Sequence, residues 1–420
     1  MPSRTAGIFL LLSRNNEDLQ SAGRTIRDKC EKYLYRKAVC MSTGIRRGSV
    51  GNCTWSIDKY WTLTIEAVKG TDGVLDDYNL RGWPWEEYVK KIRKVFIKDG
   101  VAANTNMGFM FSGMKNCRVF DIAALDTGNA QMMDSLFYDC SNLTDLTPVA
   151  GWNVGSVTDM AFMFSGCTEL SDLTPLAKWD VSHVRNTEGI FEACSGITDL
   201  SPLIKWDVSN VKVMAGLFAG CSGVTDLSPL AKWAVNNVED MESMFVNCKA
   251  VTDISYLKEW DTGKLRSMSK MFEGCTLLAD VSAVKSWNVL SLGYAEYTFN
   301  NTAVQKNPLD DMVPMSCPRE GEFTGWKQCR DGRIVKLLIY ADARRSSAFG
   351  KKCRCDKAKV VSIWDPEKRK GTTEAKSLHS PSFVYRKGET VAAPDYEEDR
   401  FAEYAPGIHF YMNRMDAVNY

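Results

Sequence analysis

The sequence predicts an α/β repeat solenoid with a 27-residue period, preceded by a small α+β cap and followed by a C-terminal α+β domain. Three ladders predict it. Cys140, Cys167, Cys194, Cys221, Cys248 and Cys275 stand 27 residues apart, as do Trp152, Trp179, Trp206, Trp233, Trp260 and Trp287. Phe137, Phe164, Phe191, Phe218, Phe245, Phe272 and Phe299 keep the same step. A fixed period of this length marks stacked units, none of which can bury its apolar face alone. The ladders divide the chain into a cap region (1–104), the repeat array (105–302), a linker marked by Pro308 and Pro314 (303–322) and a last domain (323–420).

Within a unit, Val224–Trp233 opens with a short, β-branched, alternating stretch that reads as a strand. Thr147-Pro148, Thr174-Pro175, Ser201-Pro202 and Ser228-Pro229 then read as helix N-cap followed by N1, starting one helical turn that carries Leu230 and Trp233 inward. In the second half, Val211, Met214, Leu217 and Phe218 are spaced by three and four, which predicts one or two helical turns with a single buried face. Stacking turns Trp, Phe, Met and Cys into internal columns. The repeat cysteines are expected as small buried hydrophobes, with disulfides between coils the minor alternative.

Composition limits the function classes. At 420 residues the chain exceeds one ordinary core, and 45% hydrophobic residues argue against bulk disorder. Lys+Arg and Asp+Glu are each 52, so no global field favours nucleic acid or an anionic membrane. The early apolar run Ala6–Leu12 is too short to span a bilayer, has no small-residue cleavage site behind it, and reads as a core strand. The expectation is a soluble protein, cytoplasmic or virion-associated rather than wall-anchored, without a cofactor.

The segments Trp206–Val211 (Trp-Asp-Val-Ser-Asn-Val) and Met163–Cys167 (Met-Phe-Ser-Gly-Cys) resemble the repeats of the BspA-like bacterial surface protein family. Cys53-Thr54-Trp55-Ser56-Ile57 is similar to the leader that precedes such arrays, so the likeness runs over about residues 50–302. The resemblance implies a right-handed, leucine-rich-repeat-type solenoid and a role in adhesion or protein binding. The added Ser-Pro-Leu turn departs from the family pattern. The first unit is irregular, since Phe111 to Phe137 is 26 residues and Leu125 takes the tryptophan place; at the far end Thr302 replaces cysteine. Terminal units cap the core, so irregularity there is expected. Upstream, Thr54–Ile57, Trp61–Ile65 and Lys94–Ile97 read as strands, with a short helix after Trp83-Pro84-Trp85 and a helix over Asp18–Tyr35.

One polar ladder shares the period: Asp145, Asp172, Asp199, Asp226, Asp253 and Asp280. Two readings stand. Each aspartate bonds a backbone N–H or hydroxyl of its own coil and fixes a turn, or the six form an exposed acidic stripe that binds a basic partner or cations. Lys178, Lys205 and Lys232 follow three of them by six residues and could neutralise the stripe.

In the last domain Ile334–Tyr340 and Ala358–Trp364 read as strands and Met412–Tyr420 as a short helix. Gly325-Trp326-Lys327, Ala343–Ala348, Lys352-Cys353-Arg354, Ser382–Glu389 and Gly407–Phe410 resemble an uncharacterised domain that closes phage and viral pentapeptide-repeat proteins, over about residues 323–420. That resemblance implies a phage or prophage origin. Arg344, Arg345, Ser346, Ser347, Lys351, Lys352 and Arg354 form a basic cluster able to bind phosphate or a nucleotide, or to pair with the acidic run Asp395, Glu397, Glu398 and Asp399. Cys353 and Cys355 are separated by one residue, unlike the paired cysteines of structural zinc sites, and no metal site is expected. Gly407-Ile408-His409-Phe410 is similar to the Gly-x-Tyr-Phe strand of ADP-ribosyltransferases, which implies for His379 the place of an NAD-ribose-binding histidine. His409 stands where those enzymes have tyrosine.

The functional expectation is a non-enzymatic recognition or adhesion-type protein that binds a protein or glycan partner through the solenoid. Specificity then lies at surface positions off the ladders, such as His183 and Arg185. The alternative is an effector whose nucleotide- or NAD-binding C-terminal domain is targeted by the repeats.

Overall fold

A computed structural model describes residues 45–78, 82–380 and 382–420. The strand expected at Ala6–Leu12 and the helix at Asp18–Tyr35 lie outside the described residues. The chain then builds β1 (Arg46–Val50), β2 (Cys53–Ile57), β3 (Thr62–Ala67), β4 (Lys94–Ile97) and β5 (Val119–Asp121), which form one sheet in chain order. The first two pairings are antiparallel; β3 with β4 and β4 with β5 are parallel. The switch of direction starts the solenoid, because a parallel neighbour needs a full coil of chain to return. A 3-10 turn at Glu86–Tyr88 follows two tryptophans whose indole N–H groups clamp the first coil: Trp83 Nε1 donates to Gly108 O and Trp85 Nε1 to Met110 O, both at 2.8 Å.

Each later coil turns at three corners; an Asx side chain holds every one of the first set, nearly all of the second and half of the third. At the first, the Oδ1 atoms of Asp145, Asp172, Asp199, Asp226, Asp253 and Asp280 accept from the backbone N–H two residues on, at 2.7–2.8 Å. At the second, Asp126, Asn153, Asp180, Asp207, Asp261 and Asn288 do the same at 2.9–3.1 Å. At the third, Asn106, Asp159, Asn186 and Asp240 accept at 2.8–3.1 Å. The Thr-Pro and Ser-Pro pairs therefore do not cap their turns as expected. The 3-10 turns Thr147–Val149, Thr174–Leu176, Ser201–Lys205 and Ser228–Leu230 begin on the Thr or Ser, whose own N–H the aspartate two residues earlier has already satisfied.

The second half of the unit corrects the α/β expectation, because it forms a ribbon of turns and not a helix. Leu136, Tyr138 and Cys140 donate back three residues to Met133, Ser135 and Phe137, whereas Met133, Ser135, Phe137 and Asp139 donate to Asp159, Ala161, Met163 and Ser165 of the next coil. Alternate N–H groups thus leave the coil, as in a parallel sheet, while the apolar spacing of three and four is kept. The strand expected at the start of the unit is reduced to one parallel bridge, Asp253 with Asp280. The regular bridges run instead through Met132, Asp159, Asn186, Val213, Asp240, Ser267 and Tyr294. The ribbon needs left-handed backbone at two places per coil. Glycine takes them at Gly189 and Gly220, for example, but Phe162 (φ 56°) and Ala193 (φ 57°) hold the same conformation without it.

Inside, each ladder is a bond between coils. Neighbouring rings from Phe111 through Phe299 lie 5.3–5.9 Å apart and close to parallel. Every repeat tryptophan donates its indole N–H to a carbonyl 30 residues back, from Trp152 to Ile122 (3.4 Å) through Trp287 to Leu257 (2.9 Å). Each repeat cysteine points its thiol at the phenylalanine carbonyl of the preceding coil, as Cys194 does to Phe164 at 3.0 Å. Burial pushes these thiols up, Cys221 and Cys275 to about 12, so they stay protonated donors. All twelve described cysteines are free and buried.

Residues 303–322 close the array: the helix Leu309–Met312 packs Leu309, and Val313 after it, into the solenoid core. Beyond them lies an eight-stranded sheet made of β6 (Phe323–Gln328), β7 (Ile334–Ile339), β8 (Arg345–Ser347), β9 (Lys352–Cys355), β10 (Lys357–Asp365), β11 (Lys370–Thr372), β14 (Thr390–Ala392) and β15 (Ile408–Tyr411). Its order is β11-β10-β7-β6-β15-β9-β8, with β14 paired to β10. A hairpin of β12 (Glu374–Lys376) and β13 (Val384–Arg386) and a short helix, Arg414–Val418, complete it. The two parts touch. Tyr297 N–H donates to the Asp399 carboxylate, and Phe401 with Ala348 is buried against the solenoid core.

Candidate functional site

The aspartate ladder is exposed, with one oxygen of every carboxylate bound to its own coil. Ser201 and Ser228 add hydroxyl donors to Asp199 and Asp226 at 2.8 and 2.9 Å. The Thr174 and Ser282 hydrogen bonds hold the Asp172 and Asp280 carboxyls below the usual range. Among the described residues, no ion pair joins Lys178, Lys205 or Lys232 to this stripe.

The C-terminal basic cluster is dispersed by the sheet. Arg344 pairs with Asp356 (2.9 Å) and Glu398 (2.5 Å), and Lys351 with Asp416 (3.0 Å). Arg345 donates to the carbonyls of Gly321, Tyr340, Ala341 and Ala343. Arg354 is only 3% exposed and donates to the carbonyls of Glu397, Asp399 and Pro406 at 2.7–3.0 Å. Lys352 lies over the Tyr404 and Tyr420 rings. Ser346 Oγ accepts from Tyr396 Oη, and Ser347 Oγ from Ser316 N. His379 sits at the surface, edge-on to Tyr420. His409 is enclosed on β15, its Nε2 3.2 Å from Glu403 O; burial, then Lys352 and Lys327, push it down to about 3. Among the described residues no group of three His, Cys, Asp or Glu side chains could hold a metal ion.

The sequence reading missed the face that the bridge ladder creates. Two residues after each bridge position the chain carries Asp134, Ala161, Glu188, Ala215, Glu242, Ser269 and Glu296, again 27 apart. These positions stand in register on neighbouring coils, so the signal was present as a fifth ladder. It alternates carboxylate with small residue and so looked irregular beside the apolar columns.

A shallow groove of about 550 Å³ opens on this face, lined by Val213, Glu239, Asp240, Glu242, Ser267, Ser269, Tyr294 and Glu296, with Arg266 at its margin. Its carboxyls interact: burial, then Asp240, raises Glu242, with Glu296 adding to it against Lys270. Burial, then Asp240 and Asp159, raises Glu188, and burial followed by Asp159 raises Asp134. A second groove of about 390 Å³ adjoins it, lined by Arg185, Asn210, Lys212, Asn237, Glu239 and Lys264. Glu239 is the boundary, 3.9 Å from Lys212 Nζ and 3.4 Å from Arg266 Nε. The face is therefore polarised, acidic on one side and basic on the other.

Residues 105–225 and 193–312 match a family described as Mycoplasma protein of unknown function (DUF285), and residues 313–417 match a family of unknown function (DUF5758). The phage association expected for the last domain finds no support in these matches. No curated protein matches the chain. Two solved structures are similar. A leucine-rich repeat protein from Eubacterium ventriosum is 15% identical, over 63% of this chain and 96% of its own, with a TM-score of 0.26. A leucine rich cell surface protein from Faecalibacterium prausnitzii is 12% identical, over 57% of this chain and 97% of its own, with a TM-score of 0.16. The chain is thus similar over its repeats to one family of unknown function, and over its last domain to another.

Proposed function

We propose that the protein is a recognition protein that binds a protein partner across the ladder face of its solenoid. One observation carries the reading. The ladder face holds a groove spanning several coils, with charged rims of both signs and a floor of small and polar side chains. The aspartate stripe, by contrast, spends one oxygen of every carboxylate on its own turn. An extended, stacked surface suits a partner that contacts many coils at once, each contact being individually weak. The last domain packs Ala348 and Phe401 on the closed end of the array and leaves the ladder face open.

The test is photo-crosslinking from the full chain, with the crosslinking residue at Ala215 on the face or at Asp199 on the stripe. In an extract of the cells that make the protein, a discrete adduct is expected from position 215. Excess unlabelled protein should compete it away, and Val213→Trp, which fills the groove, should abolish it. Adducts from position 199 alone, or an adduct at 215 indifferent to Val213→Trp, would overturn the proposal.

A further inference from the structure

We infer that the element received by the ladder face is a cationic polypeptide segment, whose lysine or arginine side chains are held by the carboxylates of alternate coils. This rests on the ladder face being the binding surface. The first observation is spacing. Asp134, Glu188, Glu242 and Glu296 recur every second coil, and Ala161, Ala215 and Ser269 stand between them. Parallel neighbours are about 4.8 Å apart, so successive carboxylates are about 10 Å apart with a slot between each pair. That interval matches residues i and i+7 on one side of a helix, about 10 Å by rise.

The second observation is independent of charge. Ser267 is 7% exposed and Ser269 1% exposed, both line the acidic groove, and neither Oγ has a hydrogen-bond partner among the described residues. A buried hydroxyl without a partner is costly, so a ligand group that reaches these two oxygens is favoured. Ammonium and guanidinium groups carry several donors and no acceptor. Glu242 and Glu296 on the rim accept only, and the serine oxygens below can accept as well, so the set suits such a group, and the carboxylates repel an anion. The neighbouring Arg185, Lys212 and Lys264 groove, across Glu239, fixes direction: acidic side chains of the same partner face that side.

The test is calorimetric titration of the full chain with a helical peptide carrying lysines at i and i+7, against the same peptide with glutamines there. The lysine peptide is expected to bind saturably, and more weakly as salt rises. Glu242→Gln and Glu296→Gln, both near-isosteric, should each weaken it about fivefold, and together more than tenfold. Equal binding of the glutamine peptide, or no loss in the double variant, overturns the inference. The two proposals fail separately: a crosslink lost with Val213→Trp but kept in the Glu242→Gln, Glu296→Gln double variant leaves the face as the binding surface and removes the cationic partner. Melting curves of both Gln variants matching the parent exclude a folding defect as the cause.

Discussion

The solenoid and the C-terminal domain solve the same problem, satisfying many buried polar groups, in opposite ways. In the solenoid one solution is copied: an indole N–H, a thiol and an Asx oxygen meet the same backbone atoms in coil after coil. In the last domain each solution is made once. Arg354 gathers three carbonyls from one loop, and Arg345 gathers four from others. Copying leaves outward positions free to vary around a constant interior, and the acidic column is built there. The one-off network ties its charged groups to itself, which is why the basic cluster that stands out in the sequence is spent within the domain.

The largest effects should come from breaking one member of each network. Phe218→Ala removes a ring stacked on Phe191 and Phe245, and should cost about 3–5 kcal/mol in denaturant unfolding. Arg354→Met should destabilise the last domain by about 3–5 kcal/mol, because three carbonyls lose their donor at once. If Phe218→Ala left the denaturation midpoint of the repeat array unchanged, the ladder would not be a load-sharing column. A smaller loss tests the copied bond itself. Trp206→Phe keeps most of the ring but strands Leu176 O, and about 1–2 kcal/mol should be lost, a figure that the same change at Trp233 should reproduce.

Acid should separate the two regions. His409 is held neutral when folded, near 3, but protonates in the unfolded chain at its ordinary value, so the folded form loses stability as pH falls from about 6.5 towards 3. Melting of the last domain followed against pH should show this slope, and His409→Gln should flatten it. The smallest effect belongs to the binding face. Burial and its neighbours raise the Glu188 carboxyl, which means that ionisation opposes folding there. Glu188→Gln should therefore raise the melting temperature slightly at neutral pH, with the gain shrinking as acid protonates the parent carboxyl. A lowered melting temperature would show that this carboxylate is structurally paired.

The interior of the array was legible because each buried column must repeat a residue type at a fixed step, and Trp, Phe and Cys are rare enough to be seen doing so. The strands at Thr54–Ile57 and Trp61–Ile65 were legible from alternation, and the one at Ile334–Tyr340 from a short apolar run. The turn ribbon was read as helix because a chain of three-residue turns and a helix space their apolar residues alike. The distinguishing signal was the recurrence of glycine at Gly166, Gly220 and Gly274, one column of left-handed backbone that a helix would not keep. The order of the last sheet, with β15 between β6 and β9, depends on pairings between distant segments that no local pattern announces. The candidate face was hidden for a different reason: outward positions can be picked out only after the inward ones are assigned.

The alternation of that face gives the array a grammar longer than its own repeat. A single coil added or removed by a 27-residue duplication or deletion would preserve every interior ladder, since each asks only for the same residue one step on. The surface would not survive it: two carboxylates, or two small side chains, would fall in adjacent coils. For the fold the heritable unit is one coil, but for the face it is two. A lineage that lengthens this protein while keeping its partner should therefore gain coils in pairs.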